Sequence, residues 1–218
     1  MNNMFLGRLL GLLIFMVSHW VFAEDWSPAF SVASLDETES PFATWSKART
    51  AADFSGSVLI IRGGDILFEQ GFGLADKENI QVFSADTVVD ILSLTKQFTA
   101  AAILKLEEQG ALSVSDTLDR FFDEIPEAKK SITLHQLLTH TSGLKANYKY
   151  DYRKVTRDEL EQNILNSWLR SNPGEEYLYS NAGYSLLGII IEKVSGKSYE
   201  EFLNEHFFEP AGMTQTGY

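Results

Sequence analysis

The sequence has no cysteine, which excludes disulfides and thiolate chemistry. It is short of positive charge. Against 30 Asp and Glu it holds 18 Lys and Arg, a net charge of −12, which argues against a nucleic-acid-binding surface. Acidity of this kind favours solubility and identifies no substrate. The chain has only four histidines, and they show no metal-ligand spacing. Internal repeats, low-complexity tracts and flexible linkers are missing too. Nothing points to a metal, nucleotide or redox cofactor.

What is present suits a globular core: 218 residues, 44% of them hydrophobic, enough for one large domain. The first 23 residues combine Arg8, an apolar run over residues 9–17 and the small-residue pattern Val21-Phe22-Ala23. That is the layout of a signal peptide at residues 1–23, cleaved after Ala23, and it predicts an exported protein, periplasmic or secreted. With Arg8 removed the mature charge becomes −12 − 1 = −13. The other reading is an uncleaved anchor over residues 5–23, the chain's only expected contact with a membrane. Without a cysteine after the leader, a lipoprotein is excluded.

In residues 24–53, Trp26, Phe30, Phe42 and Trp45 suggest a segment docked on the rest. Ser57-Val58-Leu59-Ile60-Ile61 reads as a buried strand, Gly63-Gly64-Asp65 as a hairpin turn, and residues 66–73 as the returning strand. Two strands alone are marginal and call for more strands or a helical layer. Capping boxes at Thr133/Gln136, Thr156/Glu159 and Ser198/Glu201 open further helices, the second predicted to run to about Leu169. Residues 182–195 are apolar nearly all round and predict a buried, central helix ended by Gly196.

The chemistry starts at Ser93-Leu94-Thr95-Lys96. Residues 87–92 are mostly β-branched and apolar and read as extended; residues 97–109 read as a helix that stops at Gly110. On a helix, residues three apart share a face, so the Lys96 amine can reach the Ser93 hydroxyl. A serine hydroxyl needs a base to take its proton. A free lysine amine, with a pKa of about 10.4, serves only when burial or a neighbouring cation lowers that value. A helix N-terminus at Ser93 would favour developing negative charge. Taken by itself the pattern is as consistent with a chance match.

Tyr179-Ser180-Asn181 precedes the apolar helix. Tyr179 could share a proton with Lys96, and Asn181 could hold the Lys96 ammonium or a substrate carbonyl. The bland alternatives are a core aromatic for Tyr179 and a helix N-cap for Asn181. Four stretches together, residues 90–100, residues 132–144, Tyr179-Ser180-Asn181-Ala182-Gly183-Tyr184 and Glu209-Pro210-Ala211-Gly212-Met213, make the chain resemble the serine β-lactamase-like hydrolases. These include class C β-lactamases, D-Ala-D-Ala carboxypeptidases, D-aminopeptidases and certain esterases. The likeness covers most of the chain from about Ser55 onward.

The resemblance implies an α+β fold of β-lactamase/transpeptidase type, an antiparallel sheet flanked by helices, with residues 24–218 forming part of that domain. It implies Ser93 as nucleophile forming an acyl-enzyme, Lys96 and Tyr179 as the shared base and then acid, and Asn181 as the residue that orients Lys96 and the substrate. The Ser93 backbone N–H would be one oxyanion donor. His140 is read as structural, because the family does not use that position as its base. Ser142 and Gly143 read as turn chemistry, and the tyrosine- and lysine-rich residues 147–153 as either a substrate loop or an exposed one.

The departure comes after Asn181. The family's Lys-Thr-Gly or His-x-Gly strand, which supplies the second oxyanion donor and more of the sheet, has no counterpart here. Lys193, Lys197 and His206 begin no such motif. The expectation is therefore an N-terminal portion of a longer hydrolase, weakly active or inactive alone. The substrate class is a β-lactam, a D-amino-acid peptide or a small ester. The other reading is a non-catalytic ligand-binding module of the same fold.

Overall fold

This computed structural model describes residues 44–46, 48, 54–147 and 154–217. The expected leader at residues 1–23 and the tyrosine-rich loop at 148–153 lie outside the described residues. The chain divides into two units, Met1–Ala85 and Asp86–Tyr218. Among the described residues the first holds the strands, with helical residues at 44–46 and 48, and the second holds the helices from Thr95 on, the segregation expected of an α+β chain.

In the first unit β1 (Gly56–Arg62) and β2 (Asp65–Phe72) form an antiparallel hairpin in register from Gly56↔Phe72 to Arg62↔Asp65. Gly63 and Gly64 close it at φ +60° and +93°, the left-handed region where glycine carries no Cβ penalty. A bulge at Ile60/Ile61 bends the first strand. Its side chains alternate: Val58 and Ile60 are half-buried, while Leu59 and Ile61 are exposed. The expected buried strand is thus covered on one face only, because the pleat sends alternate residues to opposite sides. Phe72 anchors the covered face against the rings of Trp45, Phe54 and Phe68, with centroids 6.1, 5.8 and 6.4 Å away. Trp45 accordingly docks, as expected. A second small pair not foreseen from sequence, β3 (Leu74–Asp76) with β4 (Gln81–Val82), follows. Gly71 is needed for this return: a Cβ there would lie 2.1 Å from the Phe83 carbonyl oxygen.

The second unit begins with residues that join no strand ladder among the described residues, although 87–92 looked extended in sequence. A 3-10 turn, Leu92–Leu94, leads into α1 (Thr95–Glu108), and Gly110 follows that helix at φ +71°. Next come the short α2 (Glu127–Lys130), α3 (Leu134–Leu138) and α4 (Arg157–Leu165). The long α5 (Asn181–Ser195) precedes α6 (Tyr199–Leu203), which runs into a π-helical turn, Asn204–Phe208. The capping boxes at Thr133 and Ser198 form as read, and Thr156 Oγ1 accepts the Glu159 N–H.

α5 is central. Leu186, Leu187, Ile190 and Ile191 are fully buried, packed with Ala102 and Ile103 of α1 and Leu134 and Leu137 of α3. At about 1.5–3 kcal/mol per buried aliphatic side chain, this helix organises the unit. α4 stops at Leu165, short of the expected Leu169. Two side chains take its last carbonyls. Lys129 Nζ donates to the oxygens of Ile164 (3.1 Å) and Leu165 (2.5 Å), and Ser167 Oγ donates to Ile164 O (2.7 Å).

Candidate active site

Ser93 sits in the 3-10 turn ahead of α1, one turn earlier than the helix start that its sequence context suggested. The turn is built by an unusual backbone. Leu92 takes φ +48°, a conformation that costs a branched residue energy and persists only where its surroundings hold it. Asp90 Oδ1 accepts the Leu92 N–H at 2.8 Å, and Leu94 N–H donates to Ile91 O at 3.0 Å. This sharp reversal lifts Ser93 out of the helix so that its hydroxyl is exposed.

Three predicted residues come together around that hydroxyl. Ser93 Oγ lies 2.8 Å from Tyr179 Oη, and Lys96 Nζ donates to Ser93 Oγ at 3.2 Å. The Lys96 ammonium also stands 4.9 Å from the centre of the Tyr179 ring. Lys96, then the Ser93 hydroxyl, lowers the Tyr179 phenol below its usual value by stabilising the phenolate. With the lysine donating to Ser93 Oγ, the serine proton can go to the tyrosine oxygen. A candidate nucleophile and a candidate proton acceptor are thus within hydrogen-bond reach of each other.

Asn181 is the first residue of α5 and not its cap. Ser180 is the N-cap, its Oγ accepting the Gly183 N–H at 3.0 Å. The bland N-cap reading of Asn181 therefore fails. Its Nδ2 donates to Asn147 Oδ1 at 2.6 Å. Its Oδ1 is buried with no partner among the described residues, an acceptor whose desolvation stays uncompensated until a donor arrives. Asn181, Lys96, Tyr184 and Arg157 border one cleft of about 570 Å³. A second cleft of about 380 Å³ is bordered by Tyr179, Lys145, Asn147, Arg170 and Leu178.

What sequence reading missed is how the Tyr179 segment is held. Residues 139–147 clamp it. Leu178 N–H donates to His140 O (2.8 Å), and Asn181 N–H to Ala146 O (2.7 Å). Ser180 N–H donates to His140 Nδ1 (3.1 Å), and Ser180 Oγ to Lys145 O (2.7 Å). Gly143 takes φ +75° in this clamp, with Ser171 O 2.2 Å from where its Cβ would be. The only signal in the sequence was that residues 132–144 formed one of the four matching stretches. Among the described residues no cluster of His, Cys, Asp or Glu could hold a metal ion, and no helix is long and apolar enough to cross a membrane.

A strand hairpin, a helical unit and a Ser-x-x-Lys turn facing a Tyr-x-Asn segment define the class of the active-site serine hydrolases with a β-lactamase/transpeptidase fold. The comparisons with known proteins narrow it. The family model described as beta-lactamase matches residues 46–218, and the chain belongs to that family. Penicillin-binding protein 4* of Bacillus subtilis (strain 168) is 38% identical over 172 residues, 75% of this chain and 38% of the relative. An octameric penicillin-binding protein homologue from Pyrococcus abyssi superposes with a TM-score of 0.69 at 35% identity, over 78% of this chain and 42% of that one. The D-amino acid amidase of Ochrobactrum anthropi SV3, complexed with L-phenylalanine amide, gives a TM-score of 0.66 at 27% identity, over 76% and 48%. The chain spans about two fifths of the length of the curated relatives it matches.

Proposed function

We propose that this chain carries the nucleophile and the proton-transfer pair of a serine hydrolase that works through an acyl-enzyme on an amide or ester. The observation that carries the reading is the convergence of Tyr179 Oη at 2.8 Å and Lys96 Nζ at 3.2 Å on the hydroxyl of Ser93. The Ser93 proton passes to the Tyr179–Lys96 pair as Oγ bonds to the substrate carbonyl carbon. The oxyanion forms against the Ser93 backbone N–H. As the carbon–nitrogen or carbon–oxygen bond breaks, the pair returns the proton to the leaving group. Water then repeats the sequence on the acyl-enzyme and regenerates Ser93. Asn181, with its open Oδ1, takes a donor from the Lys96 ammonium or from a substrate amide.

A β-lactam, a D-amino-acid peptide and a small ester all fit this chemistry. The names of the relatives, a penicillin-binding protein and a D-amino acid amidase, favour the amides. The presence of all four residues favours an enzyme over a non-catalytic binding module of the same fold. Export to the periplasm or beyond follows from the reading of residues 1–23.

The test is intact mass after treatment with a fluorophosphonate serine probe. One adduct is expected on the wild-type chain and none on Ser93→Ala. Equal labelling of the two would place the reactive group elsewhere and sink the assignment.

A further inference from the structure

We infer that His140 is a positioning residue for Tyr179, acting as a neutral imidazole through the backbone on either side of it. This rests on the proposed role of Tyr179 as proton acceptor. His140 holds that residue from both flanks. Its carbonyl oxygen accepts the Leu178 N–H at 2.8 Å, and its Nδ1 accepts the Ser180 N–H at 3.1 Å. Its ring lies 4.6 Å from the Tyr179 ring.

The backbone shows the same arrangement. His140 takes φ +59°, unusual for a residue with a Cβ. That conformation directs the carbonyl and the ring together toward residues 178–180. An Nδ1 that accepts a proton must carry none, so the proton of the neutral ring is on Nε2. The groups facing the ring are the phenols of Tyr177, Tyr179 and Tyr184, with centroids 5.8, 4.6 and 5.1 Å away, and the Lys96 ammonium from α1. Burial, then the charge of Lys96, lowers the His140 pKa below its usual value. Below that point a proton on Nδ1 removes the Ser180 bond, releases one flank of Tyr179 and adds a second cation beside Lys96. The imidazole is thus a neutral spacer that keeps the phenol aimed at Ser93 and loses its hold in acid.

Two substitutions separate the parts of this claim. His140→Asn tolerates a left-handed backbone and offers Oδ1 where Nδ1 stood. His140→Gly tolerates the backbone and offers no acceptor. The rate of fluorophosphonate labelling of Ser93 is measured on the full chain from about pH 5 to 9, spanning the ordinary histidine range. His140→Asn is expected within about threefold of wild type at neutral pH, and the ratio of wild-type to His140→Asn rates is expected to drop in acid, since the climb due to the Tyr179 phenol is common to both and cancels. His140→Gly is expected at least about tenfold slower at neutral pH, since small misplacements of a reacting group cost large factors. Wild-type labelling by His140→Gly, or a ratio of wild-type to His140→Asn rates that stays flat into acid, overturns the proposal.

Long-range proton–nitrogen spectra of the histidine rings give a readout that needs no activity. The His140 signal, assigned by its loss in His140→Asn, should show a bare Nδ1, and its titration should move the Tyr179 ring resonances. A proton on Nδ1 at neutral pH refutes the claim even if a variant fails to fold. A chain that is never labelled but shows the bare Nδ1 would count against the Ser93 reading and leave the His140 clamp standing.

Discussion

In the proposed mechanism Tyr179 and Lys96 divide the work around Ser93 unequally. Lys96 donates to Ser93 Oγ, so it holds the hydroxyl in place and stabilises negative charge beside it. The tyrosine oxygen is the atom placed to take the serine proton, and the same ammonium lowers its phenol. A lowered phenol forms phenolate at lower pH, so the labelling rate should climb with pH and level off below the ordinary tyrosine value. Replacing Lys96 with Met should push that climb to higher pH. Tyr179→Phe removes the acceptor and should slow labelling by about 100-fold, the low end of what a positioned acid–base group contributes. Tyr179→Phe labelling at the wild-type rate would show that Lys96 alone is the base. Ser93, Lys96 and Tyr179 were legible in the sequence because each belongs to a short, local motif. Asn147 and His140 act across 34 and 40 residues, a pairing that no local pattern displays. Leu92 was hidden for another reason: its left-handed backbone is imposed by the turn around it, and β-branched neighbours signal only an extended chain.

At the scale of elements, α5 matters twice. Its apolar side chains fill the core of the helical unit, and its N-terminal end places Tyr179 just ahead of the cap and Asn181 in the first turn. Ser180 links these roles. It is fully buried, caps the helix through the Gly183 N–H, and donates to Lys145 O. Ser180→Ala removes the cap bond to the Gly183 N–H, which costs up to about 2 kcal/mol, and the bond that Ser180 Oγ donates to Lys145 O, about 1 kcal/mol more. A loss of about 2–3 kcal/mol is expected in urea unfolding, with a fall in Ser93 labelling beyond what the lost stability explains. Helices with periodic apolar faces and capping boxes were readable in advance to within a residue or two. α4 was not, because its end is set by Lys129, a residue 35 positions away from Ile164. The strands at residues 74–82 were also missed: each is two or three residues long, too short for a period to show.

At the scale of the helical unit, Lys129 is a buried cation that joins two helices well separated in sequence. Its side chain is 1% exposed, yet its ammonium is met only by oxygens: the carbonyls of Ile164, Leu165 and Ser167 and the Ser167 hydroxyl. It ties α2 to the C-terminal end of α4, where carbonyl dipoles favour a cation. Burial, then the charge of Lys145, pushes its pKa down from 10.5 to about 8. Lys129→Met keeps much of the apolar stem but leaves the carbonyls of Leu165 and Ser167 without a donor, while Ile164 O keeps the Ser167 hydroxyl. Relief from burying a charge works the other way. Two orphaned acceptors outweigh it, so a net loss of about 2 kcal/mol is expected near pH 7.5. The pH dependence follows from the direction of the shift. Between about 8 and 10.5 the unfolded chain keeps a proton that the folded chain has released, so wild-type stability rises with pH through that window. The variant has no such group and gains nothing from it. The gap between wild type and Lys129→Met, from urea unfolding at stepped pH, should therefore widen as pH rises. A gap that narrows would mean that the four oxygens hold the ammonium charged in the folded chain more firmly than burial opposes it, and that Lys129 is a permanent cation at the end of α4.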